Sequence, residues 1–386
     1  MGPSFDLTEE QKLVRSSIRE FAEREIHPLA HDLDRKEAFS MPLVQKMGEM
    51  GLFGMTIDPA FGGKGMDYIS YIIAVEELAR VDGSQAATVA AHNSLGIGPI
   101  YSFGNEAQKR RYLPKLCADH VWGFGLTESD AGSDAGGTKT TAVRKEGRWH
   151  IDGSKIFITN GSAECTLGVT VQAVTGTRPS GSKELTCFLV ETGTRGFSAK
   201  TMKDKLLWRA SDTAELFFDD VVVSDDQLLG KVGEGFRQML GTLDDGRLSI
   251  AAMGLGCAQG AYELGLGYAK ARKQFGKPIS TFQTNAFKLA DMAMGLEHAR
   301  LFLYYACWLK DQGRPFAKQS AMAKLYCAEL AGMCVNHSLQ LHGGYGFMGE
   351  YAIERFFRDQ KLLEVGEGTS EIQRLVISRA IGCYED

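Results

Sequence analysis

Trp149-His150-Ile151-Asp152-Gly153-Ser154-Lys155-Ile156-Phe157-Ile158-Thr159 is the stretch that decides the fold class of this chain. Its bulky residues Trp149, Ile151, Phe157 and Thr159 recur in steps of two, the period of a pleated strand and not of a helix. Glu146-Gly147-Arg148 and Asp152-Gly153-Ser154 read as turns between such runs. The alternation begins at about Trp122 and lasts to about Val223, through runs rich in phenylalanine and valine at 186–190 and 215–223. It predicts a small antiparallel β-barrel or sandwich.

On both sides of this region the period is helical. Thr8-Glu9-Glu10-Gln11 is a capping box opening a helix, with Leu13, Val14, Ile18 and Phe21 at helical spacing, and Pro28 ends it. Ser40 with Pro42 starts a second helix, 68–80 a third and 84–103 a fourth, and Asn105 caps a fifth toward Cys117. Glycine-rich links such as Phe61-Gly62-Gly63-Lys64-Gly65 join them. After Gly233-Glu234-Gly235 the helical period returns over 235–246, 248–273, 280–312, 316–341 and 369–381. The expected architecture is α+β, with an N-terminal α-helical domain over 1–120, a middle β domain over 121–233 and a C-terminal helix bundle over 234–386. This order, with no βαβ pattern and no G-x-G-x-x-G after a strand, excludes a Rossmann dehydrogenase.

The 386 residues are 44% hydrophobic and 24% charged, enough for several packed cores. A net charge of -5 without a lysine or arginine block argues against nucleic acid or an anionic membrane as the main partner. No apolar run reaches the length of a membrane span, and no metal-ligand spacing occurs. The eight cysteines form no CxxC pair and no secretory leader opens the chain, so the expectation is reduced, buried thiols in a cytoplasmic protein.

Several stretches carry polar chemistry. Glu364-Val365-Gly366-Glu367-Gly368-Thr369-Ser370-Glu371-Ile372-Gln373-Arg374 sets one carboxylate between two glycines, where backbone can approach a ligand, with Thr369 as N-cap of a last helix. A single loop carboxylate is more often simply solvated. Leu126-Thr127-Glu128-Ser129-Asp130-Ala131-Gly132-Ser133-Asp134 offers N–H groups and hydroxyls to a phosphate or a heteroaromatic ring, or is only a turn. Phe157-Ile158-Thr159-Asn160-Gly161 puts an aromatic and a threonine on one strand face. Arg272-Lys273-Gln274-Phe275-Gly276-Lys277-Pro278 reads by spacing as a basic helix stop, and Gln340-Leu341-His342-Gly343-Gly344-Tyr345-Gly346 as a glycine-rich helix end.

Taken together, in this order and spanning Leu126 to Arg374, these motifs resemble those of the acyl-CoA dehydrogenase family, closest to its short-chain and related bacterial branches. The resemblance covers essentially the whole chain. It implies FAD as cofactor, Glu367 as the base that removes the Cα proton of an acyl-CoA thioester, and flavin N5 as acceptor of the Cβ hydride. The Glu367 N–H and a flavin ribityl hydroxyl would polarise the thioester carbonyl. The family pattern puts Phe124, Leu126, Thr127, Ser133, Phe157 and Thr159 at the flavin ring. It puts Arg272, Gln274, Phe275, Gln283, Gln340, Gly343 and Gly344 at FAD across a subunit interface, with Thr369 and Glu371 completing the set. A homo-oligomer, a dimer of dimers, follows from it. Ser133, Asp244, Arg247 and Gly368 match acyl-CoA contacts, with Arg247 toward the nucleotide-like end.

Other positions bear on substrate. Gly366 stands where straight-chain members carry tyrosine, which implies tolerance of branched or cyclic acyl groups. Ala91 and His92 resemble the floor of the acyl pocket, His92 as a packed or hydrogen-bonded residue and not a catalyst. Gly246 occupies the alternative base position of some branches, and Phe157 stands where a subset carries tryptophan. Leu207 replaces a glycine, and no function is assigned to it. The expected activity is α,β-dehydrogenation of a short- to medium-chain acyl-CoA, including branched or cyclic chains, with electrons passed to an electron-transfer flavoprotein. The alternatives are a non-redox acyl-CoA lyase or desulfinase on the same fold, and an oxygen-using acyl-CoA oxidase.

Overall fold

A computed structural model describes residues 6–384. The N-terminal layer holds α1 (Glu9–Phe21), α2 (His27–Lys36), α3 (Met41–Glu49), α4 (Tyr68–Ala79), α5 (Gly83–Ala91), α6 (Ile97–Phe103) and α7 (Glu106–Leu116). The Thr8 and Asn105 capping boxes form, each side chain accepting from the N–H three residues on. Pro28 does not end a helix. A π-helical turn over Ala22–Ile26 carries the chain from α1 into α2, and Pro28 lies in the first turn of α2, directly after the widened turn. A second π turn, His92–Gly96, divides the expected 84–103 helix into α5 and α6. Such turns widen a helix and re-aim its side chains.

The middle region contains β1 (Val121–Gly125), β2 (Thr141–Lys145), β3 (Arg148–Thr159), β4 (Thr166–Thr177), β5 (Lys183–Glu191), β6 (Phe197–Thr201), β7 (Thr213–Val223) and β8 (Leu228–Leu229). They form one sheet in the order β6-β7-β3-β2-β4-β5-β8, with β1 on β4. Most pairs are antiparallel, but β1 and β2 each pair with β4 in parallel. Asp152-Gly153-Ser154 is not a turn: β3 runs through it against β7, with a register shift between Ile151 and Gly153. Gly153 has φ 146°, and a Cβ there would lie 2.7 Å from Thr140 Cα, so the strand bulges where only glycine fits. Trp149, Ile151, Val171, Phe188, Leu216 and Val221 fill the core under the sheet.

The C-terminal bundle is built on α8 (Gly235–Ala271), one helix of 37 residues and not the two expected over 235–246 and 248–273. Its internal glycines are close-packing points instead of breaks. A Cβ at Gly256 would lie 2.2 Å from the Glu76 carbonyl of α4. The short hairpin β9 (Lys273–Gln274) and β10 (Lys277–Pro278) follows, then α9 (Gln283–Asp311), α10 (Ala317–His342), α11 (Ile353–Val365) and α12 (Ser370–Ala380). Helix α11 was absent from the expected elements, although Ile353, Phe356 and Leu363 bury one face of it. Residues of α4, α8, α9, α10 and α11 share one continuous core, so the Glu367 loop between α11 and α12 rests on a rigid frame. No helix among the described residues is long and apolar enough to cross a membrane.

Candidate active site

Glycine 366 caps α11, its N–H donating to the Leu362 carbonyl at 2.7 Å. Thr369 caps α12, its hydroxyl accepting from the Ile372 N–H at 3.3 Å. Between the caps, Glu367 has φ 53° and Gly368 φ 92°. A left-handed glutamate is held against a local preference, at a cost of about 1–3 kcal/mol. Two side chains hold it: Lys324 Nζ donates to the Gly368 carbonyl at 2.8 Å, and Gln373 Nε2 donates to the same oxygen at 2.8 Å and to the Glu367 carbonyl at 3.3 Å. The backbone twist turns the Glu367 side chain inward. The residue keeps some accessible surface, yet its Oε2 is buried and has no hydrogen-bond partner. Burial pushes the Glu367 carboxyl up to about 7, against the opposing charges of Lys324 and Arg247.

The inward carboxylate lies on α8. An ideal Cβ at Gly246 would sit 1.8 Å from Glu367 Oε2 and 3.0 Å from Leu95 Cδ2. The π turn 92–96 therefore borders the same place, tied to α8 by Ser249 Oγ donating to Ser94 Oγ at 3.2 Å. One residue on, Arg247 is buried and ion-paired with Asp244. Its charge acts on Glu367, which places it on the Glu367 side of α8. Burial lowers the Arg247 guanidinium, and the Asp244 and Glu367 carboxylates oppose that.

His92, in the same π turn, bonds to backbone groups. Its Nε2 donates to the Leu116 carbonyl at 2.8 Å and its Nδ1 accepts from the Trp122 N–H at 3.3 Å. Burial lowers it to about 4, so the ring is neutral and structural. His92 is thus a packed, hydrogen-bonded residue and not a catalyst, both of its nitrogens serving backbone groups. Ala91 is partly open, and Leu95 is the residue of this segment that reaches Gly246.

The sheet side of the site gathers Phe124 and Leu126, both buried, and Thr127, whose carbonyl accepts from the Ile156 N–H at 3.0 Å. Beneath them Lys155, fully buried, donates to the Leu126 carbonyl at 3.1 Å and to Glu128 Oε1 at 2.7 Å. Glu128 also accepts from the Lys139 and Thr140 N–H groups at 2.7 and 3.1 Å. Burial pushes the Glu128 carboxyl up, but Lys155 and these donors outweigh it and leave it below its usual range. Burial pulls Lys155 down in turn, and the 2.7 Å contact with Glu128 opposes this. Phe157 and Thr159 do not share a face by simple alternation, because Phe157 has φ 62° and the ladder slips between Lys155 and Ile158. The slip leaves the Phe157 ring 62% exposed. Ser133 is exposed in the loop after β1.

The remaining expected positions form a separate, exposed patch. Phe275 and Gly276, at φ 51° and 80°, turn the β9–β10 hairpin and leave the Phe275 ring 94% exposed. Arg272 lies over the Tyr345 ring, 5.6 Å from its centroid, which brings the hairpin to the Gly343–Phe347 turn and its Gly343 and Gly344. Gln274, Gln283 and Gln340 are exposed, as is Glu371 in the first turn of α12. Glu371 adjoins the Glu367 loop, but among the described residues no hydrogen bond or ring contact joins the β9–β10 hairpin or the Gly343–Phe347 turn to that loop. Lys324, Gln373 and Leu95 were missed. The available signal was Lys324 at a core position of α10, in register with buried Ser320, Ala328 and Ala331.

The acyl-CoA dehydrogenase N-terminal domain matches residues 8–120, the middle domain 123–221 and the C-terminal domain 233–382. The probable acyl-CoA dehydrogenase YngJ of Bacillus subtilis is 48% identical over 98% of this chain and 99% of its own length. Among solved structures, a chain of the butyryl-CoA dehydrogenase of Megasphaera elsdenii is 38% identical, with a TM-score of 0.94, covering 98% of this chain and 100% of that one. A chain from the work on the electron transferring flavoprotein of Acidaminococcus fermentans is 41% identical with the same coverage and a TM-score of 0.94. The glutaryl-CoA dehydrogenase of Mycobacterium smegmatis in complex with FADH2 is 31% identical, with a TM-score of 0.93, over 98% of this chain and 96% of that one. This chain belongs to the acyl-CoA dehydrogenase family, a family of oxidoreductases.

Proposed function

We propose that the chain catalyses FAD-dependent α,β-dehydrogenation of short- to medium-chain acyl-CoA thioesters to trans-2-enoyl-CoA, with Glu367 as the base. The observation that carries this reading is the Glu367 carboxylate, buried, without a hydrogen-bond partner at Oε2, and turned inward by a left-handed backbone. Solvated loop acids have none of these properties. A carboxyl raised to about 7 is better matched to a carbon acid than an ordinary glutamate is, and it is still ionised in substantial part near neutrality. The Glu367 N–H, fixed by the caps on either side, is the chain's donor to the thioester carbonyl.

FAD fits the residues present. Phe157 offers an exposed ring beside the buried Phe124–Thr127 segment, whose Leu126 carbonyl is fixed by Lys155. Phe124, Leu126, Thr127, Ser133, Phe157 and Thr159 would hold the ring system. Arg272, Gln274, Phe275, Gln283, Gln340, Gly343, Gly344, Thr369 and Glu371 would hold the remainder, the exposed patch serving a partner copy. When bound, FAD supplies the hydride acceptor. The chain's own residues orient the thioester, exclude water from the base and hold the abstracted proton at Glu367.

Gly366 has φ -69°, open to any residue, so the backbone there does not demand glycine. The absent side chain leaves room for a branched or cyclic acyl group beside the base, and the butyryl-CoA dehydrogenase likeness supports a short chain. Ser133, Asp244, Arg247, Gly368, Ala91 and Leu95 complete the substrate side. Phe287, Met294 and Leu301, each about half exposed and seven residues apart on α9, support a homo-oligomer of the dimer-of-dimers kind. Electron-transfer flavoprotein is the electron acceptor in this reading. Seven buried free thiols fit a reducing, cytoplasmic setting. The test is a panel of acyl-CoA thioesters added anaerobically to the holoenzyme. Short straight and branched members should bleach the flavin, and a panel with no bleaching would refute the reading.

A further inference from the structure

Lys324 carries a charge into the core with no carboxylate at ion-pair distance among the described residues. It is 0% exposed, belongs to the buried face of α10, and its one described hydrogen bond goes to a neutral carbonyl, that of Gly368. A buried ammonium in this position is costly unless an opposite charge lies close by. Glu367, the residue before Gly368, supplies that charge and has an unpartnered oxygen of its own.

We propose that Lys324 is the counter-ion and positioning residue of the base: its ammonium keeps Glu367 ionised while its bond to Gly368 locks the left-handed loop. The proposal rests on the reading of Glu367 as base. The charged and titratable groups facing Glu367 come from several elements. Lys324 comes from α10, Arg247 with Asp244 from α8, and Tyr68 and Tyr71 from α4, while Glu364 and Glu371 flank the loop and act on Lys324. Arg247 is already paired with Asp244, so Lys324 is the cation of the set whose charge no other carboxylate claims at contact distance. Consistent with a strained buried cation, burial lowers Lys324 to about 8, and Glu367 opposes this. When Glu367 takes a proton from substrate, Lys324 loses its counter-charge, which favours return of that proton to solvent after product leaves.

The experiment titrates the Glu367 carboxyl directly in the purified protein. Its C=O band is followed by infrared difference spectroscopy against pH and assigned by its loss in Glu367→Gln. Lys324→Met should raise the midpoint by about one pH unit, the lower end of the range for removing a nearby opposite charge. Lys324→Gln keeps a donor for the Gly368 carbonyl without the charge and should show the same rise. Lys324→Arg should stay within about 0.3 unit of the wild type, since it keeps the charge. If Lys324→Met does not accumulate folded, Lys324→Gln decides. An unchanged midpoint in the neutral variants overturns the proposal even if Glu367→Gln is inactive. A raised midpoint with an active Glu367→Gln upholds the coupling and instead removes Glu367 as the base.

Discussion

Gly246→Ala adds one methyl group to the interior of α8, directly under the Glu367 carboxylate. The new Cβ would lie 1.8 Å from Oε2 and 2.9 Å from Cδ. To reach ordinary contact at about 3.4 Å, the carboxylate must retreat by about 1.6 Å. It is the far end of a flexible side chain, so the retreat costs the fold little. Alanine is favoured over glycine inside a helix by about 1 kcal/mol, which offsets strain at Leu95. Catalysis is far less tolerant, since a shift of about 1 Å in a reacting group can cost a hundredfold. The expected result is an enzyme with a melting temperature within a few degrees of the parent, FAD bound, and flavin reduction by butyryl-CoA slowed about a hundredfold in anaerobic stopped flow. Reduction within threefold of the parent would show that proton removal does not depend on a carboxylate at this place.

Because Glu367 is pushed up to about 7 and acts ionised, kcat/KM should rise through that pH and fall about tenfold per unit below pH 6; a profile flat from pH 5.5 to 8.5 contradicts the assignment. Gly366→Tyr places a ring where the backbone accepts one, a Cβ there lying 3.3 Å from the Leu362 carbonyl oxygen. It should lower kcat/KM for isobutyryl-CoA relative to butyryl-CoA by at least about tenfold, the scale on which a pocket discriminates a methyl group. An unchanged ratio would take Gly366 out of substrate choice.

The helix–sheet–helix order was legible because hydrophobic period is a local property, written into each segment. What escaped was whatever depends on packing. Gly246 and its neighbours read as a break, yet α8 runs through them, since glycines that admit a neighbouring backbone look the same in sequence as glycines that end a helix. Pro28 read as a terminator, and only the π turn before it shows that it opens α2. The parallel pairings of β4 join segments far apart in the chain, which no local pattern reports. At the site, the Gly366-Glu367-Gly368 loop was visible as a motif. The inward turn of its carboxylate was not, because it is set by Lys324 and Gln373 from other parts of the chain. The burial of Arg247 and its pairing with Asp244, and the two backbone partners of His92, likewise depend on packing that no local pattern reports.

The measurement that bears most directly on the central claim is anaerobic mixing of butyryl-CoA with wild-type and Glu367→Gln holoenzymes, followed at the flavin absorbance. Glutamine preserves shape and burial and cannot take a proton, so the variant should retain FAD and bind the thioester while bleaching falls at least about a thousandfold. Bleaching of Glu367→Gln at a rate near that of the wild type would contradict the account.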